Sequence, residues 1–208
     1  MQYIQLRRLL GDFTVFSLPD IRQAEPGFDR RRLSEWQEKG YIKLIIKGHY
    51  IFSDRQLDDM ALFEIANRIY APSYISFESV LAYHGLIPES VYGITCASTR
   101  KTMSFKTPLG AFIYHTIRPK LYFGFEYTKC AGLRYCKVAS LEKALLDYFY
   151  LKPELNSADG FASLRINKEV FRKRVNADTL FSYAGLYGQK LLKKRISAFR
   201  EYLLDARA

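Results

Sequence analysis

Residues 35–54 read EWQEKGYIKLIIKGHYIFSD, and this stretch decides the fold predicted for the start of the chain. The polar first part ends at Gly40, which is typical of a helix C-terminus. Two short β-branched and aromatic runs follow, residues 41–46 and 49–52, and Lys47-Gly48 between them predicts a tight hairpin turn. The sequence therefore predicts a helix that leads directly into a β-hairpin with a lysine at its turn.

Two further helices are predicted before this stretch. Residues 3–10 place apolar side chains at helical spacing and end at Gly11. Residues 18–24 begin with Leu-Pro, and proline is favoured in a first helical turn. The third helix is expected to begin after Asp29 as its N-cap. Three short helices and a hairpin are the order of a winged helix-turn-helix DNA-binding domain, which we assign to residues 1–53.

In such a domain the third helix enters the major groove and the hairpin reaches the neighbouring backbone. At about 100° per residue Leu33 and Trp36 face inward, so Arg31 and Ser34 face outward and are predicted to contact base edges. The other predicted DNA contacts, to phosphates or from the hairpin, are made by Arg22, Gln23, Arg30, Arg32, Gln37, Lys43, Lys47 and His49.

The alternative without a partner for Arg30, Arg31 and Arg32 is a basic helical turn that is simply exposed to solvent. However, cations at a helix N-terminus oppose the helix dipole, and an anionic partner would offset this conflict. Glu35 and Glu38 share the outward face, where they would repel phosphate unless they pair with Arg31 or accept a hydrogen bond from cytosine. We therefore favour DNA contact over plain solvation.

Residues 54–208 predict a mixed α+β domain with a mainly antiparallel sheet, so the fold class of the whole chain is α+β. The predicted helices cover residues 54–69, 76–83 and 140–150 and much of the chain after Asn167, with Ser76 and Ser140 as N-caps. The predicted strands cover residues 91–97, 111–117, 121–128 and 133–138.

Composition limits the choice of function. The net charge is +11 and the sequence pI about 9.5, which favours a polyanionic partner. No apolar run approaches the ~18 residues of a spanning helix and the first residues lack signal-peptide order, so a cytoplasmic protein is expected. Three cysteines in no C-x-x-C pair are expected to be reduced and buried. The three histidines are scattered, and neither a metal nor a cofactor is predicted.

The charge is concentrated near the end of the chain, where residues 160–208 hold eleven Lys/Arg against four Asp/Glu. This basic helical C-terminus of the second domain could form a second polyanion surface that faces flanking DNA or an RNA. Its candidate residues are Arg172, Lys173, Arg174, Lys190, Lys193, Lys194 and Arg195. A solvated amphipathic helix is the alternative, packed through Leu191, Leu192, Ile196, Phe199, Leu203 and Leu204; membrane binding is a remote third.

Two groups of residues could be interpreted as catalytic. Glu78 and His84 could form an acid–base pair, but His84-Gly85 occupies the position of a helix C-cap. Glu142 and Asp147 could suggest a nuclease, but their spacing does not match paired metal-binding carboxylates with a following lysine. No nucleotide-binding loop or nucleophile elbow motif occurs. We expect no catalytic residue and no enzyme.

The motif YISFESVLAYHGLIPES begins at Tyr74, ITCASTRK follows, and VASLEKALLDYFYL comes later. Together they resemble the AbiE-type abortive-infection antitoxin family, the AbiEi-like transcriptional regulators. The matching positions are Tyr74, Ile75, Ser76, Ser79, Leu81, His84, Gly85, Leu86, Ile87, Pro88, Glu89, Thr99, Arg100, Ala139, Glu142, Lys143, Ala144, Leu145 and Asp147. The likeness covers nearly the whole chain except its last 40 or so residues.

The resemblance implies a repressor that binds inverted repeats in the operator of its own toxin–antitoxin operon, a phage-defence system. It also implies a functional partner, a toxin similar to nucleotidyltransferases, which the second domain counteracts without a stable complex. A DNA-binding domain as small as residues 1–53 contacts few base pairs, so a homodimer or cooperative binding on DNA is expected. The alternatives are a stand-alone regulator without a toxin and a nucleic-acid-processing enzyme that uses the second domain.

Overall fold

The computed structural model describes residues 1–88, 93–130 and 134–204. Its first part contains the three predicted helices, α1 (Tyr3–Leu10), α2 (Leu18–Ala24) and α3 (Arg31–Glu38). The predicted hairpin is formed by β2 (Ile42–Ile46) and β3 (His49–Phe52). A two-residue strand that was not predicted, β1 (Phe16–Ser17), pairs antiparallel with β3 and completes a three-stranded sheet.

The start of α3 differs slightly from the prediction. Arg30, with helical φ and ψ, occupies the cap position and makes no side-chain cap bond. Asp29 instead closes a tighter preceding turn, in which its carbonyl accepts from the Arg32 N–H and its carboxylate accepts from the Arg31 N–H at 2.9 Å. The regular helix therefore begins only after this turn, with its arginines in the first residues.

The central strand of the three-stranded sheet, β3, is buried on both faces. On β3, Tyr50 and Phe52 belong to a small core formed with α1, α2 and α3, whereas Ile51 belongs to the large core of the rest of the chain. Val15 before β1 and Ile45, at an irregularity in β2, join Ile51 in the large core. The sheet is thus held between two cores.

The rest of the described chain mixes helices and strands, which confirms the α+β class. The helices are α4 (Asp59–Ile69), α5 (Phe77–Tyr83), α6 (Leu141–Leu151), α7 (Ala158–Ser163), α8 (Lys168–Arg174), α9 (Ala177–Tyr187) and α10 (Lys190–Leu204). The strands are β4 (Ser73–Ile75), β5 (Gly93–Ser98), β6 (Met103–Thr107), β7 (Gly110–Thr116), β8 (Phe125–Lys129) and β9 (Tyr135–Ala139).

The second sheet has the strand order β6-β7-β5-β4-β9-β8. The pairs β5–β7 and β4–β9 are parallel, and the other three neighbouring pairs are antiparallel. The sheet is therefore mixed, with antiparallel pairs in the majority. The parallel pair β5–β7 arises because the chain leaves β5, forms the hairpin β6–β7, and returns beside β5 in the same direction.

One predicted strand is wrong in its first half. Residues 119–121 form a short 3₁₀ helix that begins at a proline, and β8 starts only at Phe125. Gly124 separates the two with φ +71°, and a Cβ there would lie 3.0 Å from Tyr183 and 3.1 Å from Lys143. Of the other predicted positions, Glu89 and residues 91, 92 and 133 lie outside the described residues.

The predicted caps are only partly correct. The Ser140 hydroxyl accepts from the Lys143 N–H at the start of α6, as expected for an N-cap. Ser76 precedes α5 at the cap position but makes no cap bond; its hydroxyl donates to Asp147 at 2.8 Å instead. Asn167 and Asn176 cap α8 and α9 with their side chains.

The bond to Ser76 is part of a buried polar network around Lys143 and Asp147, both of which are completely buried in α6. Lys143 Nζ donates to Asp147 Oδ1 and to the Tyr187 hydroxyl, each at 2.7 Å, and Tyr187 donates onward to the same Oδ1 at 2.6 Å. Tyr74 from β4 donates to Oδ2 at 2.8 Å. The network therefore ties β4, α5, α6 and α9 together.

Burial controls the ionisation of these groups. It lowers the pKa of Lys143, although the Asp147 carboxylate opposes the shift by favouring the charged amine. Burial also raises the pKa of the Tyr74 and Tyr187 hydroxyls, and the neighbouring carboxylate adds to that effect. Both tyrosines therefore remain protonated donors at neutral pH.

Polar contacts join the first part of the chain to α4. Arg68 donates to both carboxylate oxygens of Asp20, at 2.7 and 2.8 Å. The buried hydroxyl of Thr14 donates to Glu64 Oε2 at 2.6 Å, and burial raises the pKa of Glu64. Together with the shared sheet, these contacts fix the first part of the chain relative to α4.

We expect Asp147→Ala to lower the free energy of unfolding by about 3–5 kcal/mol, because it leaves a buried ammonium and three hydroxyls without their acceptor. Chemical denaturation measures the loss. The matched control is Lys152→Ala, which removes a partly exposed ion pair to Glu78 at 3.4 Å and should cost about 1 kcal/mol or less. Equal losses in the two variants would contradict a structural role for the network.

Candidate nucleic-acid interface

The predicted orientation of α3 is confirmed. Leu33 and Trp36 are buried in the small core, and Arg31 and Ser34 are exposed on the opposite side. Arg30, directly before the helix, is exposed as well. The predicted base-reading side chains are therefore accessible from solvent.

Two of the predicted phosphate contacts on α3 are partly engaged within the chain. Arg32 is half-buried and donates from Nη1 to the Met1 carbonyl. Gln37 is half-buried too, and its amide donates to the Leu33 carbonyl one turn earlier at 3.2 Å. These contacts hold both side chains close to the protein surface, so they contribute less reach than Arg30 and Arg31.

The flanking elements add exposed polar groups. Arg22 and Gln23 are exposed on α2, and Lys43 and Lys47 are exposed on the β2–β3 hairpin. His49 is half-buried at the start of β3, and burial lowers the pKa of its imidazole. His49 is therefore neutral at physiological pH and brings no positive charge to the hairpin.

The electrostatics of the first turn of α3 favour an anion. Arg30 and Arg31 have no carboxylate within ion-pair distance among the residues that the structure describes, and they stand where the helix dipole is positive. Glu35 and Glu38 are exposed on the same helix, and neither pairs with Arg31 in that part of the chain. Glu35 and Glu38 thus leave the two arginines free to bind an anion. Their negative charges would repel a phosphate from the rest of the exposed side of α3.

The structure divides the basic residues near the C-terminus into two groups. The three arginines donate to backbone carbonyls at helix ends: Arg195 Nη1 to Lys152 at 2.8 Å and Nη2 to Phe149 at 3.0 Å, Arg174 to His84 at 3.3 Å, and Arg172 to Leu203 at 3.3 Å. Carbonyls at a helix C-terminus lack partners within the helix; Arg195 satisfies two of them from another helix, and Arg172 and Arg174 satisfy one each.

The four lysines form the second group. Lys173 is exposed on α8, and Lys190, Lys193 and Lys194 are exposed on α10, where they line a shallow groove of about 460 Å³. The predicted packing face of α10 is correct for Leu192, Ile196, Phe199 and Leu203, which are buried. It is wrong for Leu191 and Leu204, which are 74% and 48% exposed because they lie beside that face.

The side chains that could have suggested catalysis are buried, or have structural roles and partners within the protein. His84 ends α5 as predicted, and Gly85 follows it in the left-handed region. Glu78 forms its ion pair with Lys152 and not with His84. Glu142 Oε1 accepts from the Asn176 N–H at 2.7 Å. Asp147 has no exposed surface. This geometry provides no open carboxylate pair at the nuclease-like positions.

Comparisons with known proteins add no assignment. No family model matches the chain, and no curated protein is significantly similar to it. Within the described ranges, no helix is long and apolar enough to cross a membrane. No group of three or more His, Cys, Asp or Glu side chains suited to a metal ion occurs there either.

The arginine contacts could not be predicted from the sequence, because an Arg that binds the end of another helix leaves no local pattern. We expect Arg195→Ala to lower the free energy of unfolding by about 1.5–3 kcal/mol, since two carbonyls lose a charged donor. The adjacent exposed Lys194→Ala should change it by no more than about 0.5 kcal/mol. Chemical denaturation of both variants checks this, and equal stabilities would contradict the capping role.

Proposed function

We propose that the protein is a DNA-binding transcriptional repressor that uses residues 1–53 as a winged helix-turn-helix. The observation that carries the proposal is the pair of exposed arginines, Arg30 and Arg31, which have no carboxylate partner in the described part of the chain and stand at the start of a helix whose opposite side is buried. A phosphate or a guanine edge would supply an anionic or hydrogen-bond-accepting partner for the two arginines. Such a partner would offset the unfavourable interaction between their positive charges and the helix dipole.

The contacts divide by chemistry. Arg31 and Ser34 face outward along α3 and are assigned to base edges, where an arginine can donate two bonds to guanine. Arg22, Gln23 and Arg30 are assigned to phosphates, which hold the register without reading the sequence. Lys43 and Lys47 extend the contact from the hairpin to the neighbouring backbone.

The second domain is assigned antitoxin activity against a nucleotidyltransferase-like toxin encoded in the same operon. This part rests on the resemblance of residues 74–90, 94–101 and 138–151 to AbiEi-like regulators. Co-expression with the adjacent gene, scored for rescue of growth, tests it separately from DNA binding. Growth inhibition by that gene without rescue would leave a stand-alone regulator.

Two copies on an inverted repeat are part of the proposal. The small reading surface of α3 spans few base pairs, and linked binding of two copies raises the affinity for a palindrome. Titration of an operator with one or two intact half-sites measures this. Equal affinity for the two operators, with one copy bound to each, would contradict it.

We expect Arg31→Ala to weaken binding to operator DNA by about 1–3 kcal/mol and to relax the sequence preference, because a base contact is lost. Lys47→Ala should weaken operator and random DNA alike and reduce the salt slope by about 1, because a phosphate contact is lost. Fluorescence anisotropy over a range of salt concentrations measures both.

The matched control is Lys106→Ala, which removes an exposed lysine from β6 in the second domain. It should leave both affinities unchanged. If Arg31→Ala and Lys47→Ala weakened specific and random binding to the same degree, the division between base and phosphate contacts would be wrong.

A further inference from the structure

The edge hairpin β8–β9 presents an unusual surface. β8 is the last strand of the six-stranded sheet, and its register with β9 places Tyr127 opposite Lys137 and Lys129 opposite Tyr135. Side chains that are paired across a ladder lie on the same face, so two tyrosines and two lysines alternate on one side of the hairpin. The sequence signal is the pattern Tyr-x-Lys at 127–129 and again at 135–137.

The two tyrosines are among the most exposed large hydrophobic side chains of the described chain. Tyr127 is 66% exposed and Tyr135 is 60% exposed. They occupy diagonal positions of the ladder, about 7–8 Å apart at their Cα atoms, so each ring can accept its own partner. Aromatic rings that serve packing are buried instead, as Tyr74 and Tyr187 are.

Lys137 is held in place at this face by aromatic rings. Its Nζ donates to the Tyr122 hydroxyl at 3.3 Å and lies 5.2 to 5.7 Å from the ring centroids of Tyr122, Phe125 and Tyr127. No carboxylate in the described part of the chain pairs with Lys137 or with Lys129. The ammonium is thus fixed and uncompensated beside the exposed rings.

The charges of the hairpin are separated by face. Alternation places Glu126 on the opposite side, together with Thr128 and the buried Cys136. The described residues of the tyrosine face, from Phe125 to Lys129 and from Tyr135 to Ala139, therefore carry lysines and no acid. A partner for this face needs flat apolar groups and negative charge together.

We infer that the tyrosine face of the β8–β9 hairpin binds single-stranded nucleic acid. Bases would stack on Tyr127 and Tyr135, and the backbone phosphates would approach Lys129 and Lys137. Aromatic platforms beside basic residues bind single strands in this way. A duplex cannot use the face equally well, because its bases are already stacked and their flat surfaces are covered. This site is separate from α3 and does not depend on the operator.

The test uses the full-length protein and labelled single-stranded oligonucleotides of about 15 nucleotides, as RNA and as DNA, with the duplex of the same sequence. Fluorescence anisotropy is measured for Tyr127→Ala, Tyr135→Ala and the double variant. We expect each Ala variant to lose about tenfold in affinity for single strands, since stacking on one ring contributes on this scale, and to keep duplex affinity. A preference for RNA over DNA, or its absence, identifies which single strand the face accepts.

Three controls keep the result interpretable. The double Tyr→Phe variant retains both rings and should bind within about threefold of the wild type. Tyr83→Ala removes a tyrosine that is 45% exposed on α5 and should have no effect. Lys106→Ala, which removes an exposed lysine from β6, should leave single-strand binding unchanged. Thermal unfolding confirms that each variant is folded.

Several results would overturn the inference. These are undetectable single-strand binding by the wild type, equal losses in Tyr83→Ala, or a loss of duplex affinity as large as that for single strands. Sedimentation provides the remaining outcome: if the wild type forms dimers that the double Ala variant cannot form, and single-strand affinity is unchanged, then the face is a self-association surface instead.

Discussion

The structure depends on a three-stranded sheet whose central strand, β3, buries side chains on both of its faces. On β3 the alternation of side chains sends Tyr50 and Phe52 into the small core and Ile51 into the large one. A sheet with two apolar faces is unstable in isolation, so the first 53 residues are not simply tethered to the rest of the chain. Arg68–Asp20 and Thr14–Glu64 add directional contacts to the same junction.

This constraint has a functional consequence. The helix that we assign to DNA recognition packs Leu33 and Trp36 into the small core, so its orientation is set by the same sheet on which the large core packs. Arg31 is exposed on the side of α3 opposite Leu33 and Trp36, and Arg30 directly before the helix is exposed as well, so both arginines are accessible.

The motifs that resemble AbiEi-like regulators are found mainly in the interior. Tyr74, Ser76, Lys143 and Asp147 all belong to the resemblance and all belong to the buried network. The Ser79 hydroxyl, also in the motif, accepts from the Thr95 N–H at 2.7 Å and connects α5 to β5. The similarity therefore concerns mainly residues that hold the fold together.

The structural features that could be predicted from the sequence are those whose signals lie within a few neighbouring residues. Helical spacing placed α1 and α3 and the buried side of α3, and the Ser140 cap followed from its position before an apolar helix. Strands β1 and β4, of two and three residues, are too short for any periodicity. The hydrogen bond of Ser76 to Asp147, the Arg195 contact with α6 and the exposure of Tyr127 all depend on residues that are distant in sequence. Such tertiary relations leave no trace in a local pattern.

The most direct test of the central claim, that α3 lies in the groove of duplex DNA, is cleavage mapping with a DNA-cutting iron chelate attached to an introduced cysteine. The native thiols Cys96, Cys130 and Cys136 are buried, so labelling should be selective for Ser34→Cys on α3 or for Ser104→Cys on β6, both at exposed positions. We predict that the chelate at position 34 cuts a few base pairs within each operator half-site and that the chelate at position 104 does not. Cleavage from position 104 without cleavage from position 34 would contradict the claim.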